Sequence, residues 1–460
     1  MKLIMLVSAV IFLITGCGGG GGGTVGSTEN SGSSASVANQ NSINTSQSIF
    51  GPELASLSFQ YYRDGSKSNP VSYMYPKDID GDGIDEIFFV SFETQPNTAS
   101  QYSNTSIHIV GWENGVFKEL TSRWLSGTSN QVEGVGDLCF GDFNGDGKLD
   151  VFLSAYTDMN YSVHPYALMN QGGSFTKVSF PLQTWMHAVT CADVNRDGYD
   201  DVLVTGYSGF PQYMGSSTGL VEKQGMVGGS GIAAGDFLGD GTVQAIVVDS
   251  DGGTPSKDTR LFALDFGSTT IGFREVSRLP GPRLDIQFAD PANPNSSHDI
   301  RARAVDFNQD GKLDVVVFGY RFNATDAYTL HRSEIQFLQN KGNGVFDDVT
   351  DAIRVGYDTS GYPGYFPVFR DYNGDGRPDL MASQPDWSPT GYHSTSLLVQ
   401  APDGRFVDTA KSELNALIES GGGQAVMAKG PAGVFYLVKE SAWKGDGWTR
   451  VSIHSATFKP

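Results

Sequence analysis

A nine-residue motif, present in six copies, constrains this chain more than any other sequence feature. Its clearest copy is DFNGDGKLD at residues 142–150. Carboxylate or amide oxygens stand at positions 1, 3, 5 and 9, and glycine at position 6 allows a sharp turn. The pattern suits a hard cation such as calcium, which takes about six to eight oxygen ligands. Numbered first to sixth in chain order, the loops begin at Asp78, Asp142, Asp193, Asp236, Asp306 and Asp371.

The motif differs from an EF-hand, which closes with a bidentate Glu at position 12 and is flanked by helices. Position 12 is apolar in every copy, as at Leu153 and Ala382. Apolar runs, often β-branched, follow the loops, as at residues 202–204 and 315–317, and such runs between turn residues are typical of buried strands. Each copy therefore predicts a strand, a calcium loop and a second strand, which together form a hairpin built on an ion.

The spacing of the loops predicts a repeated unit of three or four strands. A glycine shortly before an apolar residue follows each loop, as at residues 115–117 and 344–346, with another strand between. Residues 426–438 repeat the strand-turn-strand pattern without its acids and indicate a seventh, metal-free repeat. Repeats of about 59 residues are typical of a β-propeller. We therefore expect an all-β fold, a seven-bladed β-propeller with calcium-binding hairpin loops, with six or eight blades as alternatives. A strand near residues 57–62 is expected to complete the last blade.

The loops resemble the FG-GAP or VCBS repeats of the integrin α-chain head and of many bacterial surface proteins. The resemblance rests on the pattern D-x-[DN]-x-D-G-x-x-D and covers the chain from about residue 50 onward. It implies a seven-bladed propeller with calcium in the hairpin between the first two strands of each blade.

Five loops carry an oxygen at all four ligand positions. The first loop has the longer Glu86 at position 9, with Asp85 as an alternative ligand, and Asp200 is an additional acid in the third loop. The predicted ligands are Asp78, Asp80, Asp82, Glu86, Asp142, Asn144, Asp146, Asp150, Asp193, Asn195, Asp197, Asp201, Asp306, Asn308, Asp310, Asp314, Asp371, Asn373, Asp375 and Asp379.

The fourth loop departs most from the pattern. Leu238 replaces the oxygen at position 3, and Gln244 replaces the carboxylate at position 9. Only Asp236 and Asp240 remain as weak ligands, so this loop is expected to be empty or to bind weakly. About five calcium ions are therefore expected, and because similar sites recur at successive hairpins we expect them to order turns rather than to catalyse a reaction.

Residues 1–16 are predicted to be a signal peptide. One cation, Lys2, precedes an apolar run at residues 3–14 that is too short to span a bilayer. The sequence ITGC at residues 14–17 resembles the bacterial lipobox, in which the cysteine is acylated. The resemblance implies that Cys17 carries a lipid anchor to the membrane.

The segment after this cysteine lacks the residues that a folded core needs. Residues 17–48 are rich in Gly, Ser and Asn and contain no aromatic residue, which predicts a flexible tether. Residues 49–460 are predicted to form the propeller. Gly18 stands in place of an Asp after the cysteine, which by resemblance favours sorting to the outer membrane. We therefore expect a lipoprotein of the bacterial cell envelope that faces the periplasm or the cell exterior.

The net charge of −20 is explained by the loops, which hold twenty of the 51 acidic residues. Metal ligation accounts for this acidity without a basic partner. No basic stripe is present to neutralise phosphates, so nucleic acid is not expected as a partner.

Two cysteines stand close to consecutive loops. Cys139 precedes the second loop by three residues, and Cys191 precedes the third by two. Because these offsets differ by one, equivalent strands should direct the side chains to opposite faces. This favours two buried free thiols over a disulfide.

Loops between the second and third strands should open on the face opposite the calcium loops, because successive strands run antiparallel. These loops, with the connections that enter the first strands, are rich in aromatic residues that could bind sugars or proteins. Packing of the rings onto the propeller rim is the alternative. The candidate ligand face consists of Tyr161, His164, Trp185, Tyr207, Tyr320, Trp387, Tyr392, Trp443 and Trp448.

Motifs of enzyme chemistry are scarce. The sequence has no G-x-S-x-G, no H-E-x-x-H and no cysteine nucleophile with a placed histidine. Some polysaccharide lyases are calcium-bearing propellers, so His164, His187, Arg301 and Arg303 leave a lyase alternative open. The favoured function is a calcium-stabilised binding or adhesion module for a glycan or protein ligand, with a polysaccharide lyase or a scaffold subunit of an envelope complex as alternatives.

Overall fold

Antiparallel strands make up nearly all the secondary structure of the computed structural model. It describes residues 48–60, 70–93, 105–156, 162–183, 186–206, 210–225, 227–248, 259–281, 298–321, 332–355, 366–383, 395–417, 424–441 and 448–458. The predicted signal peptide, Cys17 and nearly all of the predicted tether lie outside the described residues. The described helices are α1 (Thr121–Trp124), α2 (Thr350–Ile353), α3 (Lys411–Leu417) and a 3-10 turn at Pro431–Gly433. Within these ranges no helix has the length and hydropathy needed to cross a membrane.

Most strands form sheets of four in which neighbours in the chain are neighbours in the sheet. One sheet has the order β2 (Pro70–Lys77), β3 (Glu86–Glu93), β5 (His108–Glu113), β6 (Val116–Glu119). The next contains β8 (Leu138–Gly141), β9 (Asp150–Leu153), β10 (Tyr166–Asn170) and β11 (Phe175–Ser179). Another contains β20 (His298–Val305), β21 (Asp314–Arg321), β22 (Arg332–Gly342) and β23 (Val345–Asp348). The short strands β4 (Thr105–Ser106) and β7 (Gln131–Val132) pair with each other.

Two sheets have additional strands. An eight-stranded sheet joins β12 (Met186–Ala192), β13 (Asp201–Gly206), β14 (Pro211–Met214) and β15 (Val221–Gly225) to β19 (Thr270–Leu279), β18 (Thr259–Phe266), β17 (Gln244–Val248) and β16 (Gly231–Gly235). Its two antiparallel halves are linked by a short parallel pairing of β15 with β19. A five-stranded sheet has the order β24 (Arg354–Val355), β28 (Phe406–Asp408), β27 (Ser396–Gln400), β26 (Asp379–Ser383), β25 (Phe366–Arg370).

The two ends of the described chain meet in one sheet. Its order is β1 (Phe50–Gln60), β31 (Trp448–Ala456), β30 (Phe435–Glu440), β29 (Ala425–Lys429). The prediction that an N-terminal strand completes the last sheet is confirmed. The strand begins earlier than predicted, and Phe50 and Phe59 are both buried near its ends.

A carboxylate fastens the start of β1. Glu413 of α3 accepts hydrogen bonds from the Ser48 hydroxyl at 2.9 Å and from the Ile49 N–H at 2.8 Å. The chain is therefore held at the point where the predicted tether ends.

Every predicted calcium loop connects the first two strands of its unit, as predicted. The residue before each loop pairs with the residue at position 9, so that Gly141 lies opposite Asp150 and Val305 lies opposite Asp314. The remaining loops connect β2 to β3, β12 to β13, β16 to β17 and β25 to β26 in the same way. The hairpin register is therefore the same at each loop.

The core lies between sheets, in clusters that each join one unit to the next. One cluster packs Phe88 of β3 against Val151 of β9, and another packs Phe337 of β22 against Leu398 of β27. Another cluster joins the five-stranded sheet to the sheet that contains β29. The sheet that contains β29 is joined in turn to β2, β3 and β5 by one more cluster. The succession of clusters returns to its start, and the predicted all-β, propeller-like fold is confirmed.

Cys139 and Cys191 form a disulfide with Cα atoms 5.7 Å apart. The prediction of two free thiols is therefore wrong. Strands β8 and β12 belong to units that pack face to face, so side chains that leave opposite faces of their own sheets meet in the space between them. Both cysteines pack against the cluster in that space, which includes Phe143 and Val202.

Candidate functional site

The second loop shows how the predicted ligands shape their own turn. One carboxylate oxygen of Asp142 accepts the backbone N–H of Asp146 at 3.0 Å, and the other accepts that of Gly147 at 2.7 Å. The amide oxygen of Asn144 accepts the same Asp146 N–H at 3.1 Å, and Asp146 accepts the N–H of Lys148 at 3.0 Å. Gly147 has a φ of 81°, in the left-handed region that favours glycine. Oxygens at positions 1, 3 and 5 therefore close over the turn.

Bonds from position 1 to backbone N–H groups recur in all six loops, including the fourth. Asp236 accepts the N–H groups of Asp240 at 3.1 Å and Gly241 at 2.9 Å, although Leu238 provides no oxygen at position 3. Equivalent bonds are present in the third, fifth and sixth loops. In the first loop, Asp78 accepts the N–H groups of Gly81 at 2.8 Å and Gly83 at 2.9 Å. The loop shape is therefore independent of the complete ligand set. The expectation that the fourth loop is empty or binds weakly stays a prediction, as does calcium binding by the other five loops.

The carboxylate at position 9 fastens the loop to the third strand. Asp150 accepts the Phe143 N–H at 3.0 Å through one oxygen and the Asn170 N–H at 2.7 Å through the other. Equivalent pairs of bonds are made by Asp201, Asp314 and Asp379. Each carboxylate oxygen keeps a second lone pair, so these bonds are compatible with a role as metal ligand.

Gln244 explains why the fourth loop keeps its shape without an acid at position 9. Its side-chain oxygen accepts the N–H of Phe237 at 2.8 Å, which is the bond that Asp150 makes to Phe143. Its amide nitrogen donates to the carbonyl of Thr242 at 2.9 Å. The amide therefore reproduces, without a charge, the bond that the position-9 carboxylate makes within the loop.

The first loop has the most convergent acids. Asp78, Asp80 and Glu86 each offer an oxygen within 4.8 Å of the others, the one such acidic group found within the described ranges. Burial raises the pKa of Glu86 to about 8, with the charge of Asp80 as the next cause. Burial likewise raises the pKa of Asp150 to about 6 and that of Asp314 to about 7. Hard oxygen donors with buried charge fit a calcium ion, which would offset the cost of burying the carboxylates.

Acids at position 8 contact a neighbouring unit. Asp85, predicted as an alternative to Glu86, is 1% exposed and forms a bidentate ion pair with Arg370 at the end of β25. Asp200, the additional acid of the third loop, accepts the N–H of Asp142 at 2.8 Å. The geometry therefore assigns both acids to contacts between units, and Asp85 does not replace Glu86.

Most residues of the candidate ligand face lie outside the part of the chain that the structure describes. Of Tyr320 the structure gives only its position in β21. The residues that lie outside the described ranges are Tyr161, Trp185, Tyr207, Trp387, Tyr392 and Trp443. For these residues the ligand face stays a prediction.

The described members of the face are His164 and Trp448. The His164 ring donates from Nδ1 to the Phe180 carbonyl at 2.7 Å and is half-buried. Trp448 begins β31 and is 42% exposed. Both lie at connections between second and third strands, at the end opposite the predicted calcium loops. They belong to units separated by the sheet of β2, β3, β5 and β6, so they do not form one site by themselves.

Arg301 and Arg303 converge on a residue that the sequence analysis missed. The Nε atom of Arg301 lies 3.3 Å from a carboxylate oxygen of Asp137, and its Nη2 donates to the Gly136 carbonyl at 3.0 Å. Arg303 lies 3.9 Å from the other oxygen, which also accepts the Tyr75 hydroxyl at 3.3 Å. Asp137 is fully buried, and Arg301 is 2% exposed. This cluster joins units that are distant in sequence.

The lyase residues do not form one exposed site. His187 is buried beside Tyr156, with ring centroids 5.3 Å apart. The Arg301 guanidinium is buried against Asp137, while His164 lies in the loop before β10.

The sequence could not reveal the role of Asp137, because this residue belongs to no repeated motif.

The apolar residue at position 2 is a second feature that the sequence analysis left unused. Phe143, Phe237, Phe307 and Tyr372 are all buried and fix the loops to the core. Here the signal was available, because every copy of the motif has an apolar or aromatic residue at this position.

Comparisons with known proteins agree with the repeated loops. The FG-GAP-like repeat family matches residues 78–153, 142–204 and 306–382. Each matched segment begins at a predicted calcium loop and ends in the strand after the next loop. No curated protein matches the chain.

Two of the solved structures that resemble this chain are distant likenesses. The GH43_1 enzyme from Xanthomonas citri is 10% identical, with 65% of this chain and 92% of that chain covered and a TM-score of 0.30. A protein from Lactobacillus plantarum is 13% identical, with 76% and 96% covered and a TM-score of 0.36. At these scores neither likeness carries an argument about the function of this chain.

Proposed function

Because this chain is an FG-GAP repeat protein with a propeller-like all-β fold, we propose that it is a calcium-stabilised binding or adhesion module of the cell envelope. Its ligand is a glycan or a protein. The ligand binds on the side opposite the calcium loops, and the ions order the hairpins that shape the other side.

We propose a propeller of seven blades. The eight-stranded sheet counts as two blades, since β12 to β15 and β16 to β19 are separate antiparallel units, each with its own loop. The sheet of β29, β30, β31 and β1 is the metal-free blade. The short β15–β19 pairing joins two outer strands and leaves the order within each unit unchanged.

Calcium is proposed for five loops, with the first as the best-supported site. Asp78, Asp80 and Glu86 converge there, and their charges are costly to hold together without a cation. A divalent ion supplies that compensation and links the loop to the following strand. These residues hold the ion and shape the turn, and no chemical step is assigned to them.

The exposed ring of Trp448 carries the proposal for the ligand side. A tryptophan that is 42% exposed supplies a flat apolar surface where strands turn away from the calcium loops. The undescribed aromatic residues Trp387, Tyr392 and Trp443 are proposed to extend this surface.

A glycan array tests the binding role, with Trp448→Ala as the variant. Phe266→Ala is a matched control, because Phe266 is similarly exposed at 41% but is the last residue of β18, at the end where the calcium loops lie. We expect Trp448→Ala to weaken binding and Phe266→Ala to leave it unchanged. Equal effects of both substitutions would argue against the proposed face.

The enzymatic alternative is a lyase acting on acidic polysaccharide. The partial exposure of Arg303 beside the Asp137 cluster is the observation that keeps it open. Uronate polymers should then give an unsaturated product that absorbs at roughly 235 nm, because the reaction abstracts a proton next to the carboxylate. Absence of both product and glycan binding would leave the scaffold role.

The location in the envelope rests on Cys17. Acylation there would hold the protein at the membrane, on the periplasmic or the outer side. Cys17→Ser should move the protein from the membrane fraction to the soluble fraction. Unchanged membrane association would remove the lipid anchor from the proposal.

A further inference from the structure

A cavity of about 590 Å³ lies on the side of the calcium loops, where the first loop, the sixth loop and the β29–β30 turn meet. The metal-free repeat has only a short turn here, closed by a hydrogen bond from the Gly430 N–H to the Val434 carbonyl at 2.8 Å. We call this cavity the closure pocket. Its walls include Asp85, Arg370, Tyr372, Lys429 and Phe435.

A buried ion pair fixes one wall of the closure pocket. Arg370 Nη2 donates to one oxygen of Asp85 at 2.9 Å, and Nη1 donates to the other. Asp85 also accepts the Lys429 N–H at 2.6 Å, and its own N–H donates to the Lys429 carbonyl at 2.8 Å. The pair therefore compensates its own charge and holds the backbone of Lys429 in place.

The side chain of Lys429, unlike that of Arg370, is not paired with an acid among the described residues. Its ammonium group has no hydrogen-bond or ion-pair partner within the described residues, and the residue is only half-buried. Lys429 lines the cavity, and an ammonium without a partner among the described residues is suited to bind an anionic group.

Aromatic rings form another wall of the closure pocket, which favours a ligand with a flat apolar face. The Phe435 ring is half-buried and packs edge-on against Tyr372, with centroids 5.0 Å apart. Tyr372 is itself stacked on Phe458 at 6.1 Å, so the wall is held from behind. A fixed flat ring beside a cation fits a sugar ring that carries a carboxylate.

We propose that the closure pocket binds the uronate residue of an acidic glycan. The carboxylate pairs with Lys429, and the apolar face of the sugar ring lies on Phe435. The volume is within the range of about 300–1,000 Å³ that small-ligand sites occupy. This site lies away from the proposed ligand face, and it stands or fails independently of it.

The electrostatics of the pocket determine the conditions of the test. Asp78 and Asp371 line the cavity and are the first ligands of two predicted calcium loops. Their charges would repel a uronate unless calcium offsets them. Binding is therefore measured with calcium present.

Isothermal titration of the full chain with digalacturonate is the direct experiment, with the neutral galactose disaccharide as a comparison. We expect digalacturonate to bind and the neutral disaccharide to bind at least about tenfold more weakly, because it lacks the charge-assisted bond. Lys429→Gln should weaken digalacturonate binding by a similar factor. Its melting temperature should stay unchanged, because Asp85 contacts only the backbone of Lys429.

Lys223→Gln is the matched control, since Lys223 is a half-buried lysine on the outer strand β15, away from the pocket. Phe435→Leu should weaken binding of digalacturonate but not that of triglutamate. No digalacturonate binding in calcium, or binding that Lys429→Gln leaves unchanged, would overturn the proposal. Triglutamate bound as tightly as digalacturonate would replace the sugar with an acidic peptide and also overturn it.

Discussion

The carboxylate of Asp200 accepts the backbone N–H of Asp142 at 2.8 Å, and the Asp200 N–H donates to the Asp142 carbonyl at 2.9 Å. This reciprocal pair joins the third loop to the second. Asp85 makes the same pair with Lys429, at 2.6 Å and 2.8 Å. An acid at position 8 therefore links the hairpins of two adjacent units in both places.

Asp200→Ala should lower the free energy of unfolding by about 1–2 kcal/mol, because the Asp142 N–H loses its acceptor. Asp200→Asn keeps a side-chain oxygen and should lower it by less. Urea unfolding in calcium compares the two variants. Equal losses would show that the hydrogen bond does not stabilise the fold.

Calcium removal should lower the melting temperature substantially. Asp146→Ala and Asp240→Ala are a matched pair at position 5, since each side chain accepts the N–H two residues later, at 3.0 Å and 2.7 Å. Both variants lose that bond, but only Asp146→Ala removes a ligand from a complete site. We therefore expect the calcium-induced rise in melting temperature to be smaller in Asp146→Ala than in Asp240→Ala. An unchanged melt of the original protein in excess EGTA would contradict the assignment.

The disulfide should contribute up to about 4 kcal/mol to stability in the chain-entropy account, because it closes a loop between cysteines 52 residues apart. The double substitution Cys139→Ser with Cys191→Ser should lower the free energy of unfolding towards that amount. Dithiothreitol should destabilise the original protein and leave the double variant unaffected. If dithiothreitol destabilises the original protein and the double variant equally, the loss of stability does not come from reduction of the disulfide.

Substitutions at the buried pair of Asp137 and Arg301 should have strongly non-additive effects on the free energy of unfolding. Arg301→Met leaves a buried carboxylate without its closest cation and should cost about 3–5 kcal/mol. Asp137→Asn combined with Arg301→Met removes both charges and should cost less than the two single substitutions together. Arg303→Met is the control, because this side chain is 28% exposed and lies farther from Asp137. Denaturant unfolding of all four variants measures the coupling, and additive losses would exclude it.

The sequence predicts well what the chain determines locally. The positions of Asp142 to Asp150 specify a turn because side-chain oxygens bond amides within the same nine residues. The strands on both sides follow from the apolar runs, and the N-terminal strand was expected from the need to complete the last unit.

Contacts between units could not be predicted in this way. The face-to-face packing of β8 and β12 brings Cys139 to Cys191, although alternation along each strand directs them to opposite faces. Asp85 and Asp137 likewise form ion pairs with arginines on strands that are distant in sequence. No local sequence pattern predicts such pairs. The closure pocket depends on the absence of a full loop at β29, together with the neighbours that surround it.

Glu413 holds the first residues of β1 through the Ser48 hydroxyl and the Ile49 N–H. If Cys17 carries the proposed lipid, tension between the membrane and a bound ligand would pass through this point. Force along β1 then loads its hydrogen bonds with β31 together, in shear, instead of opening them one at a time. Under the proposed lipid anchor, the strand that completes the last sheet would also bear the mechanical load of attachment.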